Sequence, residues 1–237
     1  MRCAAQRREE LKAVLAQVRD CTRCPLHRTR TQVVFGAGNA DAQLMFVGEA
    51  PGANEDLQGL PFVGQAGRLL SQLLEQIGMS REDVFICNTL KCRPPNNRDP
   101  HPEEIEACSE YLHRQVALVA PNVICTLGNF ATKLLRGEPT GISRLHGRAE
   151  VRTVGERAVR LYPLYHPAAA LYTPATLKLL RADFMRIPEL LALGEPPQPP
   201  PAGGQRHPGG DGARAADAQD AETGGPGGPA ADQLCLF

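Results

Sequence analysis

Apolar residues recur along this chain with two different periods. Leu11, Val14, Leu15 and Val18 are spaced by three and four, which predicts a helix over 6–19; Leu69, Leu70, Leu73, Leu74 and Ile77 do the same over 66–77. Short apolar runs at 43–48 (QLMFVG), 83–89 (DVFICNT) and 122–128 (NVICTLG) read instead as buried strands, and 148–154 and 158–164 alternate well enough for a β pair or two strands. Pro102, Glu103 and Glu104 suit the first turn of a helix running to about Val119, because that turn needs no proline N–H and its dipole favours acids. NFATKLL opens a further helix, and the stretch from His166 to Leu193 supplies the last ones. Two segments read as irregular: EAPGANEDLQGLPFVG is a long loop, and the prolines of KCRPPNNRDPHP remove donors and fix φ.

Strands alternating with helices predict a three-layer α/β/α domain with a central, mostly parallel sheet over residues 1–194. Residues 195–237 differ in kind. Seventeen of these 43 residues are Pro or Gly, and Leu234 is the first large aliphatic side chain among them. Such a segment cannot offset its ordering entropy by burial, so a disordered tail is expected.

Composition changes this picture in three ways. Without tryptophan, the core must be mainly aliphatic. The formal charge of zero hides an uneven spread, with 24 basic against 20 acidic residues in 1–194, which permits an anionic partner. No run of 18 apolar residues could span a membrane, and the start lacks an apolar signal core, so a cytoplasmic protein, monomeric by default, is expected. In that compartment eight cysteines point to metal or redox chemistry before disulfides.

Ligands of open α/β sheets bind beyond the carboxyl ends of the strands. Three predicted strands end in unusual residues: GEAPG after the first, Asn88 after the second, and YHP, with His166, after 158–164. An acid, an amide and an imidazole would meet on one rim, and Phe62 in the first loop would cover the same crevice. Such a pocket suits a planar polar ring. Each residue also has a plain reading, as a turn, a strand-end amide or a core ring; their joint position is what points to a site. Cys21 and Cys24 form a C-x2-C pair, a spacing that lets two thiolates face one metal centre. Cys92, in the irregular loop, and Cys108, about two turns into the next helix, are chosen as partners. Cys87 and Cys125 lie inside apolar strands, where a small buried residue is expected, and Cys3 and Cys235 are near the ends. Spacing alone leaves zinc and a four-iron cluster both open.

The stretches CTRCPL, LMFVGEAPGANEDLQGLPFVGQAG, NTLKCRPPNNRDPHPEEIEAC and YHPAA together resemble the family-4 uracil-DNA glycosylases, across residues 21–170. The resemblance implies a [4Fe–4S] cluster held by Cys21, Cys24, Cys92 and Cys108. It implies that Phe62 stacks on uracil, that Asn88 bonds the edge distinguishing uracil from cytosine, and that His166 stabilises charge on O2. Gly48, Glu49 and Ala50 would shape the sugar and water side, and Glu55 and Asn97 match further positions implicated in catalysis. The expected substrate is uracil-containing DNA, and Lys91, Arg93 and Arg98 are expected to contact its phosphates. Two stretches depart from the commoner family pattern: QGLPFVGQAG lacks two basic residues near the pocket mouth, and HPAAAL lacks the serine after His-Pro. A glycosylase of broader taste, acting on hypoxanthine or mismatched thymine, and a non-catalytic zinc-knuckle nucleic-acid-binding protein are the competing readings. The final QLCLF resembles the short peptide that bacterial replication and repair proteins dock into the β sliding clamp, with Gln233, Leu234, Leu236 and Phe237 as anchors.

Overall fold

The computed structural model describes residues 4–200. In chain order the elements are α1 (Ala4–Arg19), β1 (Ala37–Gly38), β2 (Leu44–Gly48), α2 (Ala53–Gln58), α3 (Gln65–Gln76), β3 (Phe85–Asn88), α4 (Pro102–Val119), β4 (Val123–Leu127), α5 (Asn129–Arg136), α6 (Ile142–Leu145), β5 (Glu150–Val154), β6 (Arg157–Leu164), α7 (Pro167–Leu171), α8 (Pro174–Phe184) and α9 (Ile187–Ala192). The six strands form one sheet in the order β1-β3-β2-β4-β6-β5. Its four inner strands are parallel, and β1 and β5 pair antiparallel at the edges. The expected mostly parallel sheet is therefore present, and the two alternating segments near 150–164 are a β pair.

Side chains alternate across a strand, so one five-residue run supplies both faces of the sheet. Met45 and Val47 face the layer built by Leu11, Leu15, Tyr111, Leu112 and Val116, from α1 and α4. Leu44 and Phe46 face the opposite layer, built by Leu70, Leu73, Leu180, Phe184 and Ile187, from α3, α8 and α9. Phe85 and Cys87 against Ile86, and Ile124 against Val123 and Cys125, repeat the division. Burying a leucine or phenylalanine fully contributes about 1.5–3 kcal/mol, so these two layers hold the sheet far more firmly than its surface ion pairs do.

Three elements are absent from the sequence reading. The long first loop contains α2, a six-residue helix bracketed by Gly52 and by Gly59, whose φ of +71° ends it. It buries Asp56, which accepts from the Thr31 amide at 3.0 and 3.1 Å and ties the loop to the segment before β1. The other two, β1 and α6, span two and four residues, too short to show a period.

Contacts with the body of the domain continue past Gly194. Glu195 pairs with Arg157 at 2.9 Å, and the Gln198 side chain bonds both the main-chain N–H and C=O of Ala158. The expected tail beyond residue 200, its clamp-like terminus Gln233, Leu234, Leu236 and Phe237, and Cys3 and Cys235 lie outside the described residues.

Candidate active site

Parallel strands bring their carboxyl ends to one rim. Gly48 of β2 stands opposite Asn88 of β3, and Leu127 of β4 opposite Leu164 of β6. Above that rim lies a cavity of about 370 Å³ lined by Glu49, Ala50, Glu55, Phe62, Asn88, Asn97 and His166, among others. The ring-reading and acidic residues expected from sequence thus share one cavity, and Gly48 packs behind two of them, Phe62 and Asn88.

Position 48 must be glycine. A Cβ at Gly48 would stand 2.8 Å from the Phe62 ring and still closer to the Asn88 side-chain oxygen. Phe62 itself has φ +54°, a conformation that costs a residue with a side chain on the order of 1–3 kcal/mol. Three neighbours hold it there. Glu55 Oε1 accepts from the N–H groups of Val63 (3.0 Å) and Gly64 (3.2 Å). The partly buried Arg81 donates to the carbonyls of Pro61 (2.7 Å) and Phe62 (3.2 Å), and burial lowers its pKa. Gly67 leaves room where a Cβ would overlap the Phe62 carbonyl. Glu55 is thus committed to the main chain of the loop that carries Phe62. Arg81 and Gly67 were not singled out from sequence; a glycine on the first turn of an otherwise good helix was the available signal.

His166 caps α7, and its Nδ1 accepts from the Ala168 amide at 3.1 Å. That bond assigns the proton to Nε2, making it a donor. Burial pushes the imidazole pKa down to about 4, with the Glu55 charge opposing, so the ring is neutral at pH 7. Gly128, at φ +92°, lets the chain pass close to His166, whose Cβ would stand 3.1 Å from a Cβ at position 128. The Phe62 and His166 rings lie 5.7 Å apart, inclined by 28°.

Glu49 contrasts with Glu55. Its carbonyl accepts from the Leu90 amide (3.0 Å) and the Thr89 hydroxyl, but its half-buried carboxylate has no hydrogen-bond partner among the described residues. Burial raises its pKa, and the charge of Asp99 adds to the effect. Asn97, at φ +53°, lines the cavity and accepts from Arg93 Nε at 2.7 Å, and its amide N–H groups have no hydrogen-bond partner among the described residues.

The basic loop differs from expectation at one position. Lys91 is 1% exposed, and its Nζ donates to the Asn88 carbonyl and to Gln115 Oε1, each at 2.6 Å. It therefore cannot reach a phosphate; the loop that follows β3 points this side chain inward. Arg98 lines the cavity, held by two bonds to the buried Glu104 (2.9 and 2.6 Å), and Arg93 is half-buried.

On the far side of this loop lie the expected cysteines. Cys92 and Cys108 are buried, Cys21 and Cys24 half-buried, and all four are free thiols that pack on one core layer. Among the described residues no three His, Cys, Asp or Glu side chains converge on a single ion. The four sulfurs are nevertheless electrostatic neighbours: Cys24 feels Cys21, Cys92 feels Cys24 and Cys21, and Cys108 feels Cys92 and Cys24. Two carry directed donors, the Lys91 amide on Cys108 Sγ at 3.3 Å and Arg30 Nη1 on Cys92 Sγ at 3.4 Å. Arg30 also binds the carbonyls of Cys21 and Arg19, tying knuckle to loop. Cys87 and Cys125 lie in the strands, fully buried.

Known proteins share this chain's pattern. A model of the uracil DNA glycosylase superfamily matches residues 35–186. The type-4 uracil-DNA glycosylase of Archaeoglobus fulgidus is 48% identical over 193 residues, spanning 79% of this chain and 96% of that protein. Pyrobaculum aerophilum offers an internal contrast. Its type-4 uracil-DNA glycosylase is 42% identical over 75% of this chain and 90% of that protein, and its type-5 enzyme 30% identical over 63% and 78%. With the parallel sheet, the rim cavity and these relatives taken together, the chain belongs to the uracil-DNA glycosylase superfamily and, within it, to the type-4 enzymes.

Proposed function

We propose that this protein removes uracil from DNA by hydrolysing its N-glycosidic bond, leaving an abasic site for base excision repair. The observation that carries the reading is the convergence of Phe62, Asn88 and an Nε2-protonated, neutral His166 on one cavity. A uracil inside a duplex cannot reach these groups, so the nucleotide must be extruded, at a cost of a few kcal/mol that is least for a mismatch or a single strand. Stacking on Phe62 and bonds from Asn88 recover part of that cost. Gly48 and Ala50 let the base lie close to the main chain.

As the glycosidic bond stretches, charge leaves the sugar for the base. His166 Nε2–H, aimed at O2, stabilises it without any need to lose a proton first; one such preorganised donor contributes about 3–4 kcal/mol to the barrier. Glu49, whose carboxylate is unpaired, orients the attacking water, with the Asn97 amide beside it. Glu55 acts through Phe62, as a positioning residue. Arg93 and Arg98 meet the backbone phosphates.

Cys21, Cys24, Cys92 and Cys108 would hold a [4Fe–4S] cluster. Each ligand of such a centre binds its own iron, so the four sulfurs need not meet at a point, and N–H donors on two of them suit thiolates. The cluster supplies structural fastening of the knuckle to the second loop. Brown protein with iron and labile sulfide is expected; colourless protein with stoichiometric zinc sinks this assignment. No helix among the described residues is long and apolar enough to cross a membrane. We read the protein as a cytoplasmic, monomeric repair enzyme acting on the nucleoid.

Labelled oligonucleotides holding U, hypoxanthine or T opposite G, followed by alkaline cleavage of abasic sites, test the activity. Strand breaks with U alone are expected. His166→Ala should lower the single-turnover rate by roughly 10²–10³ while keeping fold and colour; a wild-type rate dismisses its role. The acid limb has two sources. Neutral His166 persists down to about pH 4, whereas Glu49 protonates above the ordinary carboxylate range. In Glu49→Gln the limb of the residual activity should move down to about 4. We read the terminal Gln233, Leu234, Leu236 and Phe237 as a tether to the β sliding clamp. Leu236→Ala with Phe237→Ala should abolish clamp binding and spare activity on short oligonucleotides.

A further inference from the structure

A buried lysine without a carboxylate partner calls for a physical account, because an interior charge is retained only where other groups compensate it. Lys91 is such a residue. Its side chain is among the largest that are fully buried, and no carboxylate among the described residues pairs with it. Its Nζ donates instead to two neutral acceptors, the main-chain carbonyl of Asn88 and Gln115 Oε1, both at 2.6 Å. Gln115, fully buried on α4, is fixed in turn by donating to the Phe35 carbonyl at 2.9 Å. The main chain of Lys91 does something separate: its N–H meets Cys108 Sγ at 3.3 Å, and its C=O accepts from the Val34 N–H at 2.8 Å. The next residue is Cys92.

Lys91 thus stands between the two sites of the molecule. One end touches the thiol that α4 contributes; the other holds the peptide of the residue that reads the base. Asn88 is the last residue of β3, where the ladder to β2 ends, so its carbonyl depends on Lys91 for a buried partner.

We propose that Lys91 is a positioning residue for uracil recognition, a strut that fixes the Asn88 peptide against the four-thiol site and couples the two. The coupling half of this rests on the iron–sulfur reading given above; the strut half does not. Coupling free energies are reciprocal, so a ligand in the pocket must be felt at the cluster to the extent that the cluster is felt in the pocket.

The experiment uses the holoprotein and free uracil. In the wild type, saturating uracil should shift the visible absorption or the midpoint potential of the cluster. Lys91→Met, which keeps the stem and the main-chain N–H, should retain full iron and labile sulfide, lose that shift, and bind uracil about tenfold more weakly. Its glycosylase KM should rise by more than its kcat falls, and excision of U relative to C should drop. Gln115→Met, which removes the second acceptor, should move uracil affinity the same way by a smaller factor, about threefold, and serves if Lys91→Met does not accumulate. Wild-type uracil affinity in either variant overturns the proposal. Loss of iron from Lys91→Met also counts against it, since the group that meets Cys108 survives the substitution. Colourless wild-type protein is a different failure. It removes the cluster and with it the coupling, while the affinities still decide the strut.

Discussion

The two loops that wall the cavity are fastened by different means. The first, residues 49–64, is held by groups the chain carries with it. Glu55 binds two of its N–H groups, Arg81 two of its carbonyls, and Asp56 anchors α2 to Thr31. Gly48 and Gly67 leave the space in which Phe62 can adopt its left-handed backbone. The second, residues 89–101, has an outer end held by Arg98 on Glu104 and by Arg93 on Asn97, but its inner end joins Cys92 and the thiol-bound Lys91. The first loop can reach its shape as the domain folds. On the iron–sulfur reading proposed above, the second is complete only when four sulfurs from three segments are joined, so the wall that carries Phe62 and the wall that follows Asn88 are secured separately.

The largest expected effect breaks that division outright. Cys92→Ala should abolish the visible absorption and lower activity by more than about 10², because a lost structural metal centre is among the few single changes that remove several kcal/mol. Hydrogen exchange should accelerate across 89–101 and change little across 53–63. Equal loosening of both loops would show that they are one unit. Gly67→Ala is the opposite perturbation. The added methyl overlaps the Phe62 carbonyl, and overpacking of this kind costs about 1–3 kcal/mol. Iron content should stay at the wild-type level while the Phe62 loop exchanges faster.

Arg81→Met is subtler. It removes two donors and leaves the Pro61 and Phe62 carbonyls unsatisfied, at about 1–3 kcal/mol if they stay buried. Uracil affinity should fall about tenfold through a mispositioned ring, with colour and the Lys91-dependent response of the cluster unchanged. A change in that response would mean that the two walls communicate.

The division also marks what the sequence could disclose. The two periods, the proline at the start of α4 and the glycines after β2 and β4 were legible because each is a local requirement, and so the sheet, its flanking layers and the rim were expected. Residue type at strand ends brought Glu49, Asn88 and His166 forward for the same reason. Lys91 misled because a lysine in a basic, proline-rich loop looks solvated; nothing local announces that Gln115, 24 positions later, and the end of β3 will enclose it. Arg81 was silent likewise, its role set by a carbonyl pair some 20 positions earlier. Short elements such as α2 went unseen because a six-residue helix carries less than two turns of pattern; only its bracketing glycines marked it.

The smallest effect concerns the outer face of the second loop. Arg98 lines the cavity and Arg93 bonds Asn97, which lines it too, but the two guanidinium groups are spent differently. Arg98 gives two bonds to the buried Glu104, a pair that holds the Glu104 pKa below the usual carboxylate range. Arg93 gives one bond, from Nε, to Asn97 and leaves both terminal nitrogens free of protein partners among the described residues. A phosphate can therefore take Arg93 without displacing a carboxylate, whereas Arg98 offers only the edge that Glu104 leaves. Arg93→Ala should reduce the slope of log affinity against log salt by about 1, weakening binding evenly across sequences. Arg98→Ala should do less to the slope and more to stability, because it strands a buried carboxylate at the start of α4. If the slopes respond equally, the pairing with Glu104 does not restrain Arg98, and the outer end of the second loop is held by DNA rather than by the protein.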